Sequence, residues 1–174
     1  VLITGTPQEN EGDMLYLAEE KGVRPEIIPE LGRNLNPFND IIAFCKIFSV
    51  INKEKPDIVH THTAKAGVLG RMAALLYKYA QLKNRNLQPK LIHTFHGHVL
   101  QGYFGKVASI IFIWIERFLT LFTHKIIAVS ESVKDELIKL KIADAKKIAT
   151  IPLGLELEKF FKIQRNGLPH GDYK

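Results

Sequence analysis

Apolar and polar positions switch between two periods along this chain. Short runs led by Val, Leu and Ile recur at Val1–Gly5 (VLITG), Arg24–Pro29, Asp57–His62 (DIVHTH), Leu91–His96 (LIHTFH), Lys125–Val129 (KIIAV) and Lys147–Pro152. Each is bounded by Gly, Pro or charge and reads as a strand. Between them lie longer stretches with helical spacing: Gly12–Lys21, closed by Gly22, then Pro37–Asn52, Ala66–Leu82, Lys106–Phe122 and Ser130–Lys141. Pro37 suits a first helical turn, Pro56 resets the chain, and Ser130 followed by Glu131 reads as an N-cap with an early acid. Strands alternating with helices, the central strands apolar on both faces, predict an α/β fold: a parallel sheet with helices on both faces.

Two of these strands end in histidine clusters. Asp57–Thr63 reads DIVHTHT and Leu91–His98 reads LIHTFHGH. Ligands of open α/β sheets sit outside the carboxyl ends of the strands, so these clusters mark the candidate site. His60, His62 and His93 have a second reading as hydrogen-bonded strand-end or core histidines.

The chain's 174 residues suffice for one core without disulfides or a structural metal. The single cysteine, Cys45, lies in the apolar run FNDIIAFCKIFSVI and reads as a small buried hydrophobe. No disulfide can form within one chain, which fits a reducing compartment, and no secretory signal is visible. The net charge of +6, with Lys78, Lys83, Arg85 and Lys90 uninterrupted by acid, suits an anionic partner such as lipid headgroups or nucleotide phosphates. A solvated connection explains the same stretch equally well. No nucleic-acid-binding motif is present.

Val107–Ile115 (VASIIFIWI) and Phe118–Phe122 (FLTLF) come near to a membrane span, but Glu116 and Arg117 interrupt them. A helix packed between the sheet and its neighbours is the expectation.

Several chemistries fail on spacing. KAGVLG (Lys65–Gly70) places Gly67 and Gly70 as a dinucleotide fingerprint would, with Lys65 where the first glycine belongs and no acid about 20 residues on. Gly105-Lys106 lacks the remainder of a P-loop, and Ser130 lacks the flanking glycines of a hydrolase elbow. The pair His60 and His62, with His96 and His98 opposite, has the spacing of a zinc site. No carboxylate or cysteine lies nearby in sequence to complete it, so no metal is expected.

Four blocks in order, DIVHTHTAKAGVLGRMAA, HTFHGHVLQGYFG, KIIAVSESVKDEL and KIATIPLGLELEKF, resemble the N-terminal half of the family 4 glycosyltransferases. These are two-domain GT-B enzymes that move a sugar from a nucleotide donor with retention of configuration. The resemblance implies that residues 1–160 form the Rossmann-like acceptor-side domain, one half of a GT-B fold, and that 161–174 are a linker or tail. It implies a nucleotide sugar, UDP-linked, as donor substrate with no further cofactor, and a lipid-linked or cell-envelope glycan as acceptor. It also implies a cytoplasmic location with peripheral contact at the inner, anionic membrane face. A non-catalytic α/β binding module or truncated pseudo-enzyme is the competing expectation, and a zinc-dependent hydrolase the third.

On this resemblance His96 lies near the transferred sugar as the catalytic residue, and Gly97 lets the backbone pass close to ligand. Expected around it as substrate-binding residues are His62, Thr63, Lys65, Gly67, Arg71, His98, Ser130 and Glu131. Lys65 and the amides of the turn Ala64–Gly67 suit an anionic group. Arg71 serves the same group or pairs locally, while helix capping alone would also explain Ser130 and Glu131. The family's first strand with its glycine-rich loop belongs before Val1, and its donor domain beyond the last residue. Both ends thus read as cuts in a longer protein, and the chain alone is expected to be inactive.

Overall fold

The computed structural model describes residues 1–6, 15–32, 34–81, 88–97 and 106–154. In chain order the elements are β1 (Leu2–Thr4), α1 (Leu15–Glu20), β2 (Pro25–Ile27), α2 (Pro37–Glu54), β3 (Ile58–His62) and α3 (Ala64–Ala80). They continue with β4 (Lys90–Phe95), α4 (Lys106–Phe122), β5 (Lys125–Ala128), α5 (Glu131–Lys139) and β6 (Ile148–Thr150). The expected alternation is realised with small shifts at the boundaries.

Local chemistry sets several of those boundaries. Asn36 caps α2 by accepting from the amides of Phe38 and Asn39, with Pro37 in the first turn. Gly22, at φ 69°, ends α1: its N–H donates to Glu19 O and that of Val23 to Ala18 O, the paired bonds of a left-handed glycine stop. At the end of α2, Lys55 turns left-handed at φ 47° directly before Pro56.

Every strand pair is parallel. The single sheet expected from sequence is instead two: β1 with β2, and β3-β4-β5-β6 in that order. The edge strands β1 and β3 face each other across a cleft of about 970 Å³, lined by Val1–Thr6 on one side, Ile58–Thr63 on the other, and Ile47, Val50 and Ile51 of α2. No strand among the described residues lies between them, so their backbones do not pair. The order across both sheets is β2-β1, cleft, β3-β4-β5-β6. Progression is away from the cleft on both sides, and right-handed crossovers therefore place α1 on the face opposite α2 to α5. Helices lie on both faces, and the reversal of strand order falls at the cleft.

Two apolar clusters hold the helices down. Ala43, Ile47 and Ile51 of α2 meet Ala73, Ala74 and Tyr77 of α3 over Leu91 and Ile28. Phe95, Ile126, Ala128 and Ile148 of the sheet meet Val133 and Leu137 of α5. Cys45 is exposed, correcting the expectation of a buried thiol. It lies two residues, about 200° of helix rotation, from Ala43 on the inner face.

α4 also departs from expectation. Glu116, Leu119, Thr120 and Thr123 are buried, whereas Ile111, Trp114, Phe118 and Leu121 are exposed, so its outer face is not covered by a neighbour among the described residues. No helix of the described residues is long and apolar enough to cross a membrane.

Candidate active-site edge

The period of two in β3 sends Thr61 towards α3 and His60 and His62 to the opposite side. Parallel register sets His60 beside Ile92 and His62 beside Thr94. On that side His60 Nε2 lies 2.8 Å from the Thr94 hydroxyl, and His62 Nδ1 lies 2.8 Å from His96 Nε2. The rings form a short stack, with centroids 4.3 Å apart for His60 and His62 and 5.1 Å for His62 and His96. His62 and His96 are exposed at the carboxyl ends of adjacent strands, and His60, His62 and Thr63 also line the cleft where strand order reverses. Such a switch point is where open α/β sheets hold ligands.

Two ring nitrogens facing each other at hydrogen-bond distance share one proton: one donates and the other accepts. His62 and His96 cannot both be charged in this arrangement. Burial lowers the His62 pKa, with the charges of His60 and His96 acting the same way. His60 is lowered by burial and by His96. The pair therefore presents a neutral or singly charged donor to solvent, suited to a sugar hydroxyl or a phosphate oxygen.

On the inner side, His93 is 1 % exposed and its Nδ1 lies 2.8 Å from the Thr61 hydroxyl. That hydroxyl also donates to Ile92 O, which leaves His93 Nδ1–H as the donor to Thr61. Burial, then the Arg71 charge, holds His93 well below its ordinary pKa. His93 is a core histidine.

The other expected site residues divide. Thr63 follows His62 and carries φ 59°, a strained position for a β-branched residue, and its side chain does not cap α3. The first amides of α3 are thus left without a side-chain acceptor from the cap residue, at the same edge as the histidine pair. Gly97 is exposed, and a Cβ there would meet nothing within 4 Å. His98 lies outside the described residues. Ser130, two residues past β5, accepts from Val133 N as the cap of α5, and Glu131 pairs with Lys134 at 2.9 Å. Both occupy the sheet's carboxyl edge, Ser130 as the cap and Glu131 as the acid of the first turn of α5.

Lys65, Gly67 and Arg71 meet partners within the protein. Lys65 Nζ pairs with Asp40 at 2.5 Å and donates to Asn34 O, so the start of α2 consumes its charge. A Cβ on Gly67 would lie 2.5 Å from His93 Cε1: this glycine lets α3 sit on the His93 ring. Gly70 does the same against the Thr61 methyl, at 2.8 Å. Arg71 is fully buried, donating to Gly67 O and, at 2.6 Å, to Glu116 Oε1. Of its two expected roles the local pair is the one observed. Burial raises the Glu116 carboxyl, with Arg71 pulling against it.

Sequence reasoning passed over Thr94 and Asp40. Thr94 reads as an ordinary strand residue, and Asp40 as an early helix acid. Among the described residues no three His, Cys, Asp or Glu side chains are grouped to hold a metal.

Residues 2–159 match the model of Glycosyltransferase Family 4. The chain belongs to this family. It is 34% identical over 141 residues, 81% of its length, to the UDP-Gal:alpha-D-GlcNAc-diphosphoundecaprenol alpha-1,3-galactosyltransferase of Escherichia coli, and covers 34% of that protein. It is 30% identical over 138 residues, 77% of its length, to the capsular polysaccharide biosynthesis glycosyltransferase CapM of Staphylococcus aureus, covering 33% of it. The chain thus spans about a third of the curated relatives it matches. Among solved structures, Anabaena HepE in complex with UDP and glucose superposes with a TM-score of 0.62 at 16% identity, over 90% of this chain and 37% of that one. That likeness establishes the fold, one Rossmann-like half of a GT-B glycosyltransferase.

Proposed function

We propose that this chain is the acceptor-side half of a retaining glycosyltransferase, which moves a sugar from a UDP-linked donor to a lipid-linked or cell-envelope glycan. The observation that carries the reading is the exposed His62–His96 pair at the carboxyl edge beside the reversal of strand order. Family membership sets the reaction class. The relative named for a diphosphoundecaprenol-linked substrate, and the capsular relative, support the acceptor class. HepE bound to UDP and glucose, with the UDP-Gal in the first relative's name, supports the donor.

In this reading His96 donates a hydrogen bond to the transferred sugar or to charge growing on the departing diphosphate, where a positioned donor acts most strongly. His62 orients the imidazole by occupying its Nε2, which leaves Nδ1 for the ligand. The α3 amides after Thr63 receive an anionic group, and Gly97 gives the ligand close access to backbone. A separate donor half, carrying the nucleotide pocket, closes over this edge. The location that goes with these substrates is cytoplasmic, at the inner membrane face.

The test separates acceptor from donor. A soluble short-chain polyprenyl diphosphate sugar should shift the amide NMR signals at the start of α3, just after Thr63, UDP-sugar should leave those amides unchanged and bind feebly without the donor half, and no sugar should be transferred. Transfer by these residues alone, or a response to UDP-sugar without one to the lipid diphosphate, overturns the assignment.

A further inference from the structure

Four side chains share the face of β3 and β4 turned away from α3. They are His60 and His62 on β3, Thr94 on β4 and His96 just past its end. Parallel register sets His60 beside Ile92 and His62 beside Thr94, yet each imidazole bonds two residues further along the neighbouring strand. His60 Nε2 meets the Thr94 hydroxyl and His62 Nδ1 meets His96 Nε2, both at 2.8 Å. The same forward diagonal is taken twice. Between the two diagonals the rings lie against one another, His60 and His62 at 4.3 Å and 38°, His62 and His96 at 5.1 Å and 37°.

This ladder has a fixed end and a free end. Thr94 is 5% exposed and β-branched, so packing and a stiff χ1 aim its hydroxyl in one direction. The three histidines are exposed, and an exposed imidazole at a strand end turns about two torsions unless neighbours hold it. His62 can fix His96 only if its own ring is held first. The His60 ring packs against it from the strand interior, and Thr94 holds His60. Burial first, then the His96 charge, lowers the His60 pKa. A neutral His60 rests on His62 without repelling the proton that His62 and His96 share.

We propose that Thr94 and His60 are positioning residues, which act through His62 to fix the direction and tautomer in which His96 presents its free nitrogen to a ligand. A donor aimed at a reacting group must be held to within about 0.5 Å and 10–20°, which takes a supporting shell. The ladder supplies that shell from one buried hydroxyl outward. It also accounts for two histidines on β3, of which only the second touches His96. That the ligand of His96 is a sugar or a diphosphate rests on the function proposed above; the order of support along the ladder does not.

Imidazole nitrogen NMR of the full chain, labelled with 15N and free of ligand, reads each tautomer directly. His62 and His96 should each show one hydrogen-bonded tautomer. Thr94→Val keeps the shape and removes the hydroxyl, and should move the signals of both towards the mixture of a freely turning imidazole. Thr94→Ser should restore them, which a purely structural role for the side chain would not require. His60→Ala, at an exposed position, should produce the same loss with unchanged circular dichroism. His62→Ala should free His96 and leave the His60 signals in place, since support runs outward from Thr94. His96 signals that ignore both Thr94→Val and His60→Ala overturn the proposal, and so does a His60 that loses its fixed tautomer in His62→Ala. Either result leaves the acceptor reading standing. Amides of α3 that ignore the polyprenyl diphosphate sugar, with the ladder responses intact, remove the acceptor reading alone.

Discussion

Gly67 lies so close to His93 that a methyl group on its Cα would sit 2.5 Å from the imidazole Cε1. The ring cannot easily retreat, because Thr61 holds its Nδ1 at 2.8 Å and Phe95 meets it edge-on at 4.5 Å between centroids. Gly67→Ala should therefore destabilise the chain by about 1–3 kcal/mol through overpacking. Urea denaturation checks this: a change within about 0.5 kcal/mol, the range of an ordinary surface substitution, would show that α3 can move outward at no cost.

The Arg71–Glu116 pair ties α3 to α4 without solvent. Removing one partner strands the other charge, a loss of about 3–5 kcal/mol, whereas replacing both by apolar residues of similar size is near neutral or better. Arg71→Met and Glu116→Met should each unfold the chain at markedly lower urea, and the double variant should recover most of the loss. Additive losses in the double variant would refute the coupling.

Acid should destabilise the fold through its histidines. His93, His62, His60 and His124 all have pKa values lowered from 6.5, burial being the largest cause in each. A histidine depressed in the folded state binds its proton more readily when unfolded. Its contribution is complete above about pH 6.5 and is lost as pH falls from there through the folded pKa. The thermal midpoint should drop between pH 7 and pH 5, most of all because of His93, and His93→Gln should flatten that slope while lowering stability at pH 7. An unchanged slope would remove His93 as its main source.

In the intact enzyme, His96→Ala should lower turnover about a hundred- to a thousand-fold, the usual cost of removing a donor aimed at transition-state charge. His93→Ala should instead lower the thermal midpoint and spare turnover in the folded fraction. His62→Ala keeps the donor but frees its orientation, so a smaller loss with a shifted pH profile is expected. Equal, small turnover losses for His96→Ala and His93→Ala would make His96 a structural residue.

The order of elements and the histidine edge were legible because they depend on local signals: strand-length apolar runs, Pro37, Gly22, and imidazoles placed where strands end. What was not legible depended on partners far along the chain. Arg71 meets Glu116 across 45 positions, and nothing near Arg71 distinguishes that pairing from an anion site. Lys65 reads from sequence as free for a ligand because Asp40, which holds it, lies on another helix. Cys45 sits in a run with apolar residues on both sides of the helix, Ile41 and Ile42 outside and Ala43 and Ile47 inside, so its period does not reveal which side faces inward. α4 misled for a related reason, since a helix that buries its carboxylate and exposes its tryptophan has the same amphipathic period as one that does the opposite.

The cleft between β1 and β3 leaves a seam in the cooperativity of the fold. Among the described residues, β1 and β2 share backbone hydrogen bonds with each other and none with the larger sheet, and Ile28, with the partly buried Ile3 and Leu31, links their end of the chain to α2 and α3. Such a unit can open while the four-stranded sheet stays closed, so its amides should exchange with solvent well before those of β4 and β5. The inner edge of β3 already lines the cleft without a strand partner among the described residues, and each opening widens access to its N–H and C=O groups, a ready template for a strand from another molecule. Concentration-dependent association of this chain would then begin at that seam, with the larger sheet still native.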